Sequence, residues 1–230
     1  MTRPPPHTRS RRRSATRRRS RRILVLGAGG HGKAVLDLLL ALRGPGSFEV
    51  AGLVDAVRRP PATVLGVPVL GDEGLLPALR AEGVTDAAPA IGDNAARAAA
   101  AARLTALGFT LPALVHPAAV VGRGAEIGAG AVVMARAVVG PDARIGALAL
   151  INTGAIVEHD CVVEEAAHVA PGAVLTGGVR VGARAFVGAG AVARPGVRIG
   201  AGAIVGAGAA VVEDVPDGAT VTGVPARIRG

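Results

Sequence analysis

A six-residue repeat runs without insertion from residue 121 to residue 216 and limits the possible folds more than any other feature of the chain. Fifteen of the sixteen hexads begin with Val, Ile or Leu, and Ala193 begins the other. The fifth position is Ala in twelve hexads, Val in three and Cys in one. A period of six fits short strands joined by tight bends, and it fits neither an α-helix nor one long strand. We therefore predict a parallel β-helix whose first and fifth positions point inward.

The size of this β-helix follows from its period. If three hexads make one coil, and coils are about 4.8 Å apart, the repeat forms on the order of five coils over about 25 Å. Cys161, the only cysteine, occupies a fifth position, so we expect an inert thiol in the core and no internal disulfide. A chain without disulfides is expected in a reducing compartment, here the cytoplasm.

Residues 23–112 have a different pattern, in which strands alternate with helices. An apolar run at 23–26 leads into a glycine-rich turn at 27–33 and then a helix at 34–42. Two more strands and a second helix are predicted at 48–54, 85–91 and 95–107. This alternation predicts a Rossmann-like βαβ domain with a small parallel sheet, whose ligands bind at the carboxyl ends of the strands. The β-helix domain with its C-terminal tail would then occupy residues 113–230.

The positive charge of the chain is local. Residues 1–22 contain ten of the 26 Lys and Arg residues and no acid, so the rest has sixteen basic and seventeen acidic residues, a net charge of −1. We predict a disordered Arg-rich arm over residues 1–22. The arm has no apolar stretch of the length of a signal core, and no later segment has the length of a hydrophobic membrane helix, so no membrane insertion is expected. A nucleic-acid partner is not expected either, beyond nonspecific contact by the arm.

The glycine-rich turn matches the pattern G-x-G-x-x-G, and Asp55 follows its last glycine by 23 residues. Such a turn brings backbone N–H groups close to an anion at a helix N-terminus, which suits any phosphate, including a nucleotide diphosphate. His31 lies inside the turn and is a candidate ligand contact, whereas Lys33, the only lysine, is expected on the surface. An NAD-binding protein remains an alternative, although about 90 residues are few for a complete dinucleotide fold.

Two histidines of the repeat lie outside its inward columns. His159 is at a third position and His168 at a sixth, and Asp160 beside His159 could orient the ring and raise its basicity. Nine residues, half of an eighteen-residue coil, separate the histidines, which places them on different sides of the prism, roughly 15 Å apart. A site that used both would need two subunits, so we predict a homotrimer with interfacial sites.

Several segments together carry a resemblance to a known family. The segment ILVLGAGGHGKAVLDLLL, the IGDN step at 91–94, the block NTGAIVEHDCVVEEAAHVAPGAVLTGGVRVG and the closing VTGVPARIR resemble the sialic acid O-acetyltransferase and nucleotide-amino-sugar N-acetyltransferase family of bacteria. The similarity covers residues 23–230. Its members are left-handed β-helix acyltransferases that use acetyl-CoA and no metal.

The resemblance implies roles for residues of the repeat. His159 would take a proton from the amine or hydroxyl of a sugar as it attacks the thioester, and Asp160, which is Glu in some members, would raise the basicity of His159. His168 would contact the acetyl carbonyl, with Asn152 as a further interfacial polar contact. The pantetheine arm of the cofactor would follow Gly177, Ala189 and Ala207.

The resemblance also assigns the nucleotide sugar to the amino-terminal domain. Gly29, Gly30 and His31 would meet its phosphates or sugar, and Asp55 and Gly92 would lie near its base and ribose. We therefore predict N-acetylation of a nucleotide-linked 4-amino-deoxy sugar by direct transfer. O-acetylation of sialic acid or another sugar hydroxyl is the alternative.

Two further alternatives concern the repeat alone. A metal enzyme of the carbonic anhydrase type would need three His ligands, but the prism has two outward histidines and His116 lies before the first coil. A non-catalytic scaffold would leave the outward EHDC segment unexplained. Neither the identity of the sugar nor that of the nucleotide can be read from these motifs.

Overall fold

The amino-terminal part of the chain is a small sheet with helices, seen in a computed structural model that describes residues 21–42, 44 and 47–229. The predicted arm lies outside the described residues except for Arg21 and Arg22, which open the first strand. The strands are β1 Arg21–Leu26, β2 Phe48–Val54, β3 Thr63–Val64, β4 Val67–Gly71 and β5 Asp86–Pro89. The helices are α1 Gly30–Ala41, α2 Leu76–Ala81 and α3 Asn94–Ala106, with a 3₁₀ turn at Glu73–Leu75.

The sheet has the order β3-β4-β2-β1-β5, and only the β3–β4 pair is antiparallel. The prediction of a Rossmann-like sheet is confirmed, and β2 has the predicted bounds. Helix α1 begins four residues earlier than predicted, so most of the glycine-rich turn is its first turn. The β3–β4 hairpin was not predicted, because its turn uses Leu65 at a φ of 47° rather than the Asn or Asp usual there.

Two glycines explain how α1 sits against the end of β1. Gly27 has a φ of 112°, a conformation that other residues rarely adopt. A Cβ atom at Gly32 would overlap the carbonyl oxygen of Gly27. The helix can therefore approach the strand only with glycine at both positions, which is the packing role of glycines in this kind of phosphate-binding turn.

The repeat folds into short strands of two residues each, followed by a final hairpin. In chain order they are β6 Leu114–Val115, β7 Val120–Val121, β8 Glu126–Ile127, β9 Val132–Val133, β10 Val138–Val139, β11 Arg144–Ile145, β12 Leu150–Ile151, β13 Ile156–Val157, β14 Val162–Val163, β15 His168–Val169, β16 Val174–Leu175, β17 Arg180–Val181, β18 Phe186–Val187, β19 Val192–Ala193, β20 Arg198–Ile199, β21 Ile204–Val205, β22 Ala210–Val211, β23 Thr220–Thr222 and β24 Arg227–Ile228.

These strands form the three faces of a prism. Face 1 contains β7, β10, β13, β16, β19 and β22, and face 2 contains β8, β11, β14, β17 and β20. Face 3 contains β6, β9, β12, β15, β18, β21, β23 and β24. Val138 pairs with Val120 on one side and Ile156 on the other, so one coil is eighteen residues long, as predicted. The fold is a left-handed parallel β-helix.

The hexad positions determine what each residue does in the coil. First and fifth positions fill the core from Ala131 to Val215, and Cys161 is fully buried among them. Fourth positions form the corners and, except at Asp214 in the last hexad, take left-handed φ values, for example 66° at Gly154. Glycine is frequent there for this reason. Six of these left-handed corners carry another residue: Arg136, Asp142, Leu148, Asp160, Ala166 and Arg184.

The amino-terminal domain packs onto the outside of face 3. Leu36 and Leu39 of α1 share an apolar cluster with Leu114, Val132 and Leu150, which are outward residues of β6, β9 and β12. Ala101 of α3 packs against the corner between faces 2 and 3. Face 3 is therefore covered in its first coils by the same chain. No helix among the described residues is long and apolar enough to cross a membrane.

Candidate active site

His159 and Asp160 form an exposed pair on the corner between faces 1 and 2. The His159 side chain is 61% exposed, and its Nδ1 lies 2.8 Å from Oδ2 of Asp160. Because the carboxylate accepts a hydrogen bond there, Nδ1 carries the hydrogen and Nε2 keeps its lone pair. The hydrogen bond to Asp160 raises the pKa of His159, slight desolvation opposes this, and the charges of Asp160 and Glu158 add to the increase. The pair has the arrangement of a general base.

The backbone holds this pair in place. Asp160 has a φ of 59°, and its N–H donates to the carbonyl oxygen of Pro141 one coil earlier at 3.1 Å. Asp tolerates the left-handed conformation better than most residues. The carbonyl oxygen of His159 accepts from the N–H of Gly178 one coil later at 3.0 Å. The corner is thus tied to both neighbouring coils.

Gly177 lies directly beside the ring of His159, one coil further on. A Cβ atom at Gly177 would stand 2.6 Å from both Cε1 and Nε2 of His159. The N–H of Gly177 has no acceptor among the described residues. At other third positions, the N–H groups of Ala183 and Ala201 donate to surface carboxylates, which shows that these amides point outward. An outward N–H donor therefore lies close to the candidate base.

His168 is outside the prism core, as its hexad position predicted, but the amino-terminal domain buries it to 9% exposure. Its Nε2 is 3.1 Å from Nδ2 of Asn152. Oδ1 of Asn152 accepts from the N–H of Thr153 at 2.8 Å, which orients the amide so that Nδ2 faces the ring. Nε2 must then accept, and Nδ1 of His168 carries a hydrogen that has no partner among the described residues.

The surroundings keep His168 neutral. Burial, with smaller contributions from the charge of Arg97 and from His31, lowers the pKa of His168 to about 4. The ring of Phe186 meets the imidazole edge to face, with 5.0 Å between the ring centres. His168 is therefore an uncharged hydrogen-bonding group at neutral pH, in contrast to the exposed His159.

His31 lies in the first turn of α1, partly buried, and not in an open loop. Burial and then the charge of Arg97 lower the pKa of His31 to about 4. Its Nε2 is buried and has no partner among the described residues. The charge of His31 also contributes to the low pKa of His168, so the two histidines interact electrostatically.

Asp55 connects two loops at the carboxyl edge of the sheet. Its Oδ2 accepts from the N–H of Ala28 at 2.6 Å, and Oδ1 accepts from the N–H groups of Val57 and Arg58 at 2.8 Å. Partial burial pushes the pKa of Asp55 upward, but these three donors and the charge of Arg58 outweigh it and leave the pKa below its ordinary value. Asp55 thus stays ionised and shapes the turn predicted to bind phosphate.

A cleft of about 190 Å³ opens beside this turn. Gly29, Gly30 and the exposed Lys33 line it on the helix side, and Arg58 lines the other side. The cleft is basic and is bordered by free amides of a helix N-terminus, both of which favour an anion. Arg58 was not predicted for this site, although its place just after a strand end is a signal for it.

The residues predicted for the cofactor are not on one corner. Gly177 is on the corner between faces 1 and 2, whereas Ala189 and Ala207 are on the corner between faces 3 and 1. Asn152 and His168 are on face 3, and Gly92 lies between β5 and α3. The structure therefore brings together His159, Asp160 and Gly177, and separately His31, His168 and Asn152. A single chain does not unite the two groups.

Cys161 is a core thiol. Its Sγ lies 3.1 Å from the carbonyl oxygen of Thr176, and burial raises the pKa of the thiol. A buried protonated thiol is a poor nucleophile. Among the described residues, no three His, Cys, Asp or Glu side chains group in a way that could hold a metal ion.

A stacked prism of hexapeptide coils with an exposed His–carboxylate pair on its corner defines a left-handed β-helix acyltransferase. Family profiles agree with this class: that of the PglD N-terminal domain matches residues 22–104, and that of the hexapeptide repeat of succinyl-transferase matches residues 178–212. Comparison with curated protein sequences gave no significant match.

Solved structures that are 30% to 47% identical and cover 90% or 91% of this chain show that it belongs to the family of acetyl-CoA-dependent N-acetyltransferases that act on nucleotide-linked amino sugars. A histidine-to-asparagine mutant of perosamine N-acetyltransferase from Caulobacter crescentus, in complex with CoA and GDP-perosamine, is 47% identical with a TM-score of 0.86, covering 90% of this chain and 96% of that one. The acetyltransferase domain of PglB from Neisseria gonorrhoeae, in complex with acetyl coenzyme A, is 41% identical with a TM-score of 0.84, covering 91% and 100%. WeeI from Acinetobacter baumannii is 30% identical with a TM-score of 0.78 and covers 91% and 100%.

Proposed function

We propose that this N-acetyltransferase takes a GDP-linked 4-amino sugar of the perosamine kind and acetylates its amine. The observation that carries the chemistry is the pair in which Nδ1 of His159 is held by Asp160 at 2.8 Å, leaving Nε2 exposed as a base. The choice of substrate is supported by the relative that is 47% identical and binds CoA and GDP-perosamine.

In the proposed reaction the sugar amine attacks the thioester carbonyl of acetyl-CoA, and Nε2 of His159 takes a proton from the nitrogen as the C–N bond forms. The tetrahedral intermediate collapses with cleavage of the C–S bond, and CoA leaves as a thiolate that is protonated by the His159 imidazolium. The outward N–H of Gly177 beside the ring is suited to stabilise the oxyanion. Juxtaposition of amine and thioester supplies much of the acceleration, and the base adds about 10² to 10⁴.

We assign the nucleotide diphosphate to the cleft at the start of α1. Gly29 and Gly30 present amides there, and Lys33 and Arg58 supply positive charge. His31, Asp55 and Gly92 border the same edge of the sheet, where the sugar, ribose and base would extend. A loop with this geometry favours a nucleotide-linked sugar over free sialic acid, which has no diphosphate to fill it.

We infer a homotrimer with the active sites between subunits. His159 and Gly177 are on one corner of the prism, and Ala189 and Ala207 are on another, so one complete site needs the two corners from different chains. Outward apolar side chains on the uncovered parts of the prism support an interface: Val120 is 60% exposed, Val192 44% and Ile204 46%. A cytoplasmic location fits the free, buried Cys161.

The test is a substrate panel. The purified chain would be incubated with acetyl-CoA and GDP-, UDP- or dTDP-linked 4-amino sugars, or with free sialic acid, and CoA release would be followed together with the mass of the product. We expect the GDP-linked amino sugar to give the highest kcat/KM. Turnover of sialic acid alone would replace this proposal with O-acetylation.

A further inference from the structure

Arg97 of α3, at 1% exposure, is the one buried Lys or Arg side chain among the described residues. All five of its N–H donors are paired. Nε donates to the carbonyl of Leu148 at 3.0 Å, Nη1 to those of Ile91 and Gly92 at 3.1 and 3.2 Å, and Nη2 to Oδ1 of Asn94 at 2.9 Å and the carbonyl of Ala166 at 2.8 Å.

None of these five acceptors is a carboxylate. Burial, opposed by the charge of Asp93, lowers the pKa of Arg97 to about 10, so the guanidinium is still charged at neutral pH. Burying a cation without a paired anion is unfavourable unless hydrogen bonds satisfy every donor. Only a planar guanidinium offers five donors in a fixed fork, so no other side chain can make the same set of bonds.

The acceptors belong to two different domains. Ile91 and Gly92 follow β5 at the carboxyl edge of the sheet, where a Cβ atom at Gly27 would stand 3.7 Å from Cγ1 of Ile91. Leu148 and Ala166 are fourth-position corner residues of two successive coils, eighteen residues apart. Ala166 is two residues before His168. One side chain therefore joins the loop of the sugar-binding domain to the coil that carries His168.

Asn94 extends this connection to a third coil. Its Nδ2 donates to the carbonyls of Arg184 and Ala185 at 3.0 and 3.1 Å, while its Oδ1 accepts from Arg97. Leu148, Ala166 and Arg184 all have left-handed φ values, of 59°, 53° and 58°. The three corners are among the few without glycine, and they are the ones that receive α3.

We propose that Arg97, with Asn94, is a positioning residue that fixes the nucleotide-sugar cleft against the coils around His168, and so sets where the cleft presents its sugar to the acetyl-transfer site between subunits. The inference rests on the proposed function, because it assumes that the sugar is held by one domain and acetylated at the other. Its charge also lies close enough to His31 and His168 to lower the pKa of both, which is consistent with its place between the two halves.

The first test is kinetic. Arg97→Lys keeps the charge but cannot reach five acceptors, so the amine of a bound sugar should be misplaced relative to the thioester. With the GDP-linked 4-amino sugar as substrate, we expect kcat/KM for the sugar to fall about 10- to 100-fold. The KM for acetyl-CoA should stay within about twofold of the wild-type value.

The matched control is Arg103→Lys on the same helix. Arg103 is exposed and pairs with Glu73 at 2.9 Å, away from both sites, so its kinetics should equal those of the wild type. A lower melting temperature of Arg97→Lys with an unchanged kcat/KM for the sugar would mean that Arg97 only stabilises the fold, and would overturn the proposal.

The second test does not depend on turnover. Hydrogen exchange of peptides over residues 90–97 and 164–170 should accelerate in Arg97→Lys and in the milder Asn94→Ala, and not in Arg103→Lys. If Arg97→Lys does not fold, Asn94→Ala still tests the connection, because it removes part of the same hydrogen-bond network. If no nucleotide sugar is turned over by the wild type, the proposed function fails, whereas unchanged exchange in both variants overturns the connection itself.

Discussion

Asp160 and Gly177 show how single hexad positions were adapted around His159. The corner position of Asp160 has a left-handed φ of 59° and would suit glycine, yet it carries the carboxylate that holds Nδ1 of the base. The third position one coil later is glycine because a Cβ atom there would meet the ring. The coil alone requires neither residue. Asp160 orients the ring of His159, and Gly177 leaves space for it.

The Asp160→Asn substitution should shift the pH dependence of the reaction. His159 must be neutral to act as base, so kcat/KM falls as the pH drops below its raised pKa. Removing the carboxylate lowers that pKa toward its ordinary value, and the acidic limb of the profile should move to lower pH, with a lower plateau rate because the base is weaker. Glu158→Gln, which removes only a smaller contribution, should shift the limb less. If the acidic limb of the Asp160→Asn profile stays at the wild-type pH, Asp160 does not raise the pKa of the catalytic base.

The Gly177→Ala substitution should displace the base without unfolding the coil. Gly177 is not among the positive-φ positions, so alanine adds no backbone strain, but its Cβ would stand 2.6 Å from Nε2 of His159. The exposed ring can swing away, and we expect kcat to fall about 10- to 100-fold with an unchanged melting temperature. Ala201→Ser, at a third position on another corner, is the control and should retain full activity. An unchanged kcat in Gly177→Ala would show that the ring position seen here is not the reactive one.

At the scale of elements, the repeat was predictable because every hexad places its first and fifth residues inward. The register predicted that Cys161 is inside and His159 outside, and the structure confirms both. It could not predict that His168 is buried, because that depends on where α1 and α3 dock on face 3. It also gave no indication of Arg97, whose only signal is a lone charge within the Ala-rich start of α3. Both features depend on contacts between residues far apart in the sequence, and the six-residue repeat carries no information about such contacts.

The burial of His168 on β15 has a consequence for stability. Above pH 6.5 its ring is neutral in both the folded and unfolded chain, but between pH 6.5 and about 4 only the unfolded chain binds the proton. The free energy of unfolding should therefore decrease as the pH falls through this window, by up to about 3 kcal/mol from His168. Urea unfolding at pH 7.5, 6 and 5 measures this. His168→Gln should lose stability less steeply than the wild type over the same range, and parallel profiles would contradict the assignment of a buried neutral ring.

At the scale of the whole molecule, the prism places the halves of the proposed site on different corners. His159 and Gly177 belong to the corner between faces 1 and 2, and Ala207 belongs to the corner between faces 3 and 1. A chain whose amino-terminal domain already covers the first coils of face 3 leaves these two corners open for neighbours. Three such prisms around a threefold axis would pair unlike corners at each interface.

Mixed trimers test this arrangement directly. His159→Ala removes the base from one corner, and Ala207→Arg blocks the proposed cofactor groove on the other, so each variant alone should be inactive. Co-expressed with different tags and purified through both, they should recover activity, because some interfaces combine an intact His159 from one chain with an intact Ala207 from the other. Every mixed trimer that passes both purifications contains one such interface among its three, so about one third of the sites should be restored. His159→Ala co-expressed with His159→Gln is the control and should stay inactive. A monomer by sedimentation, or no recovery in the first mixture, would mean that each active site is built within a single chain.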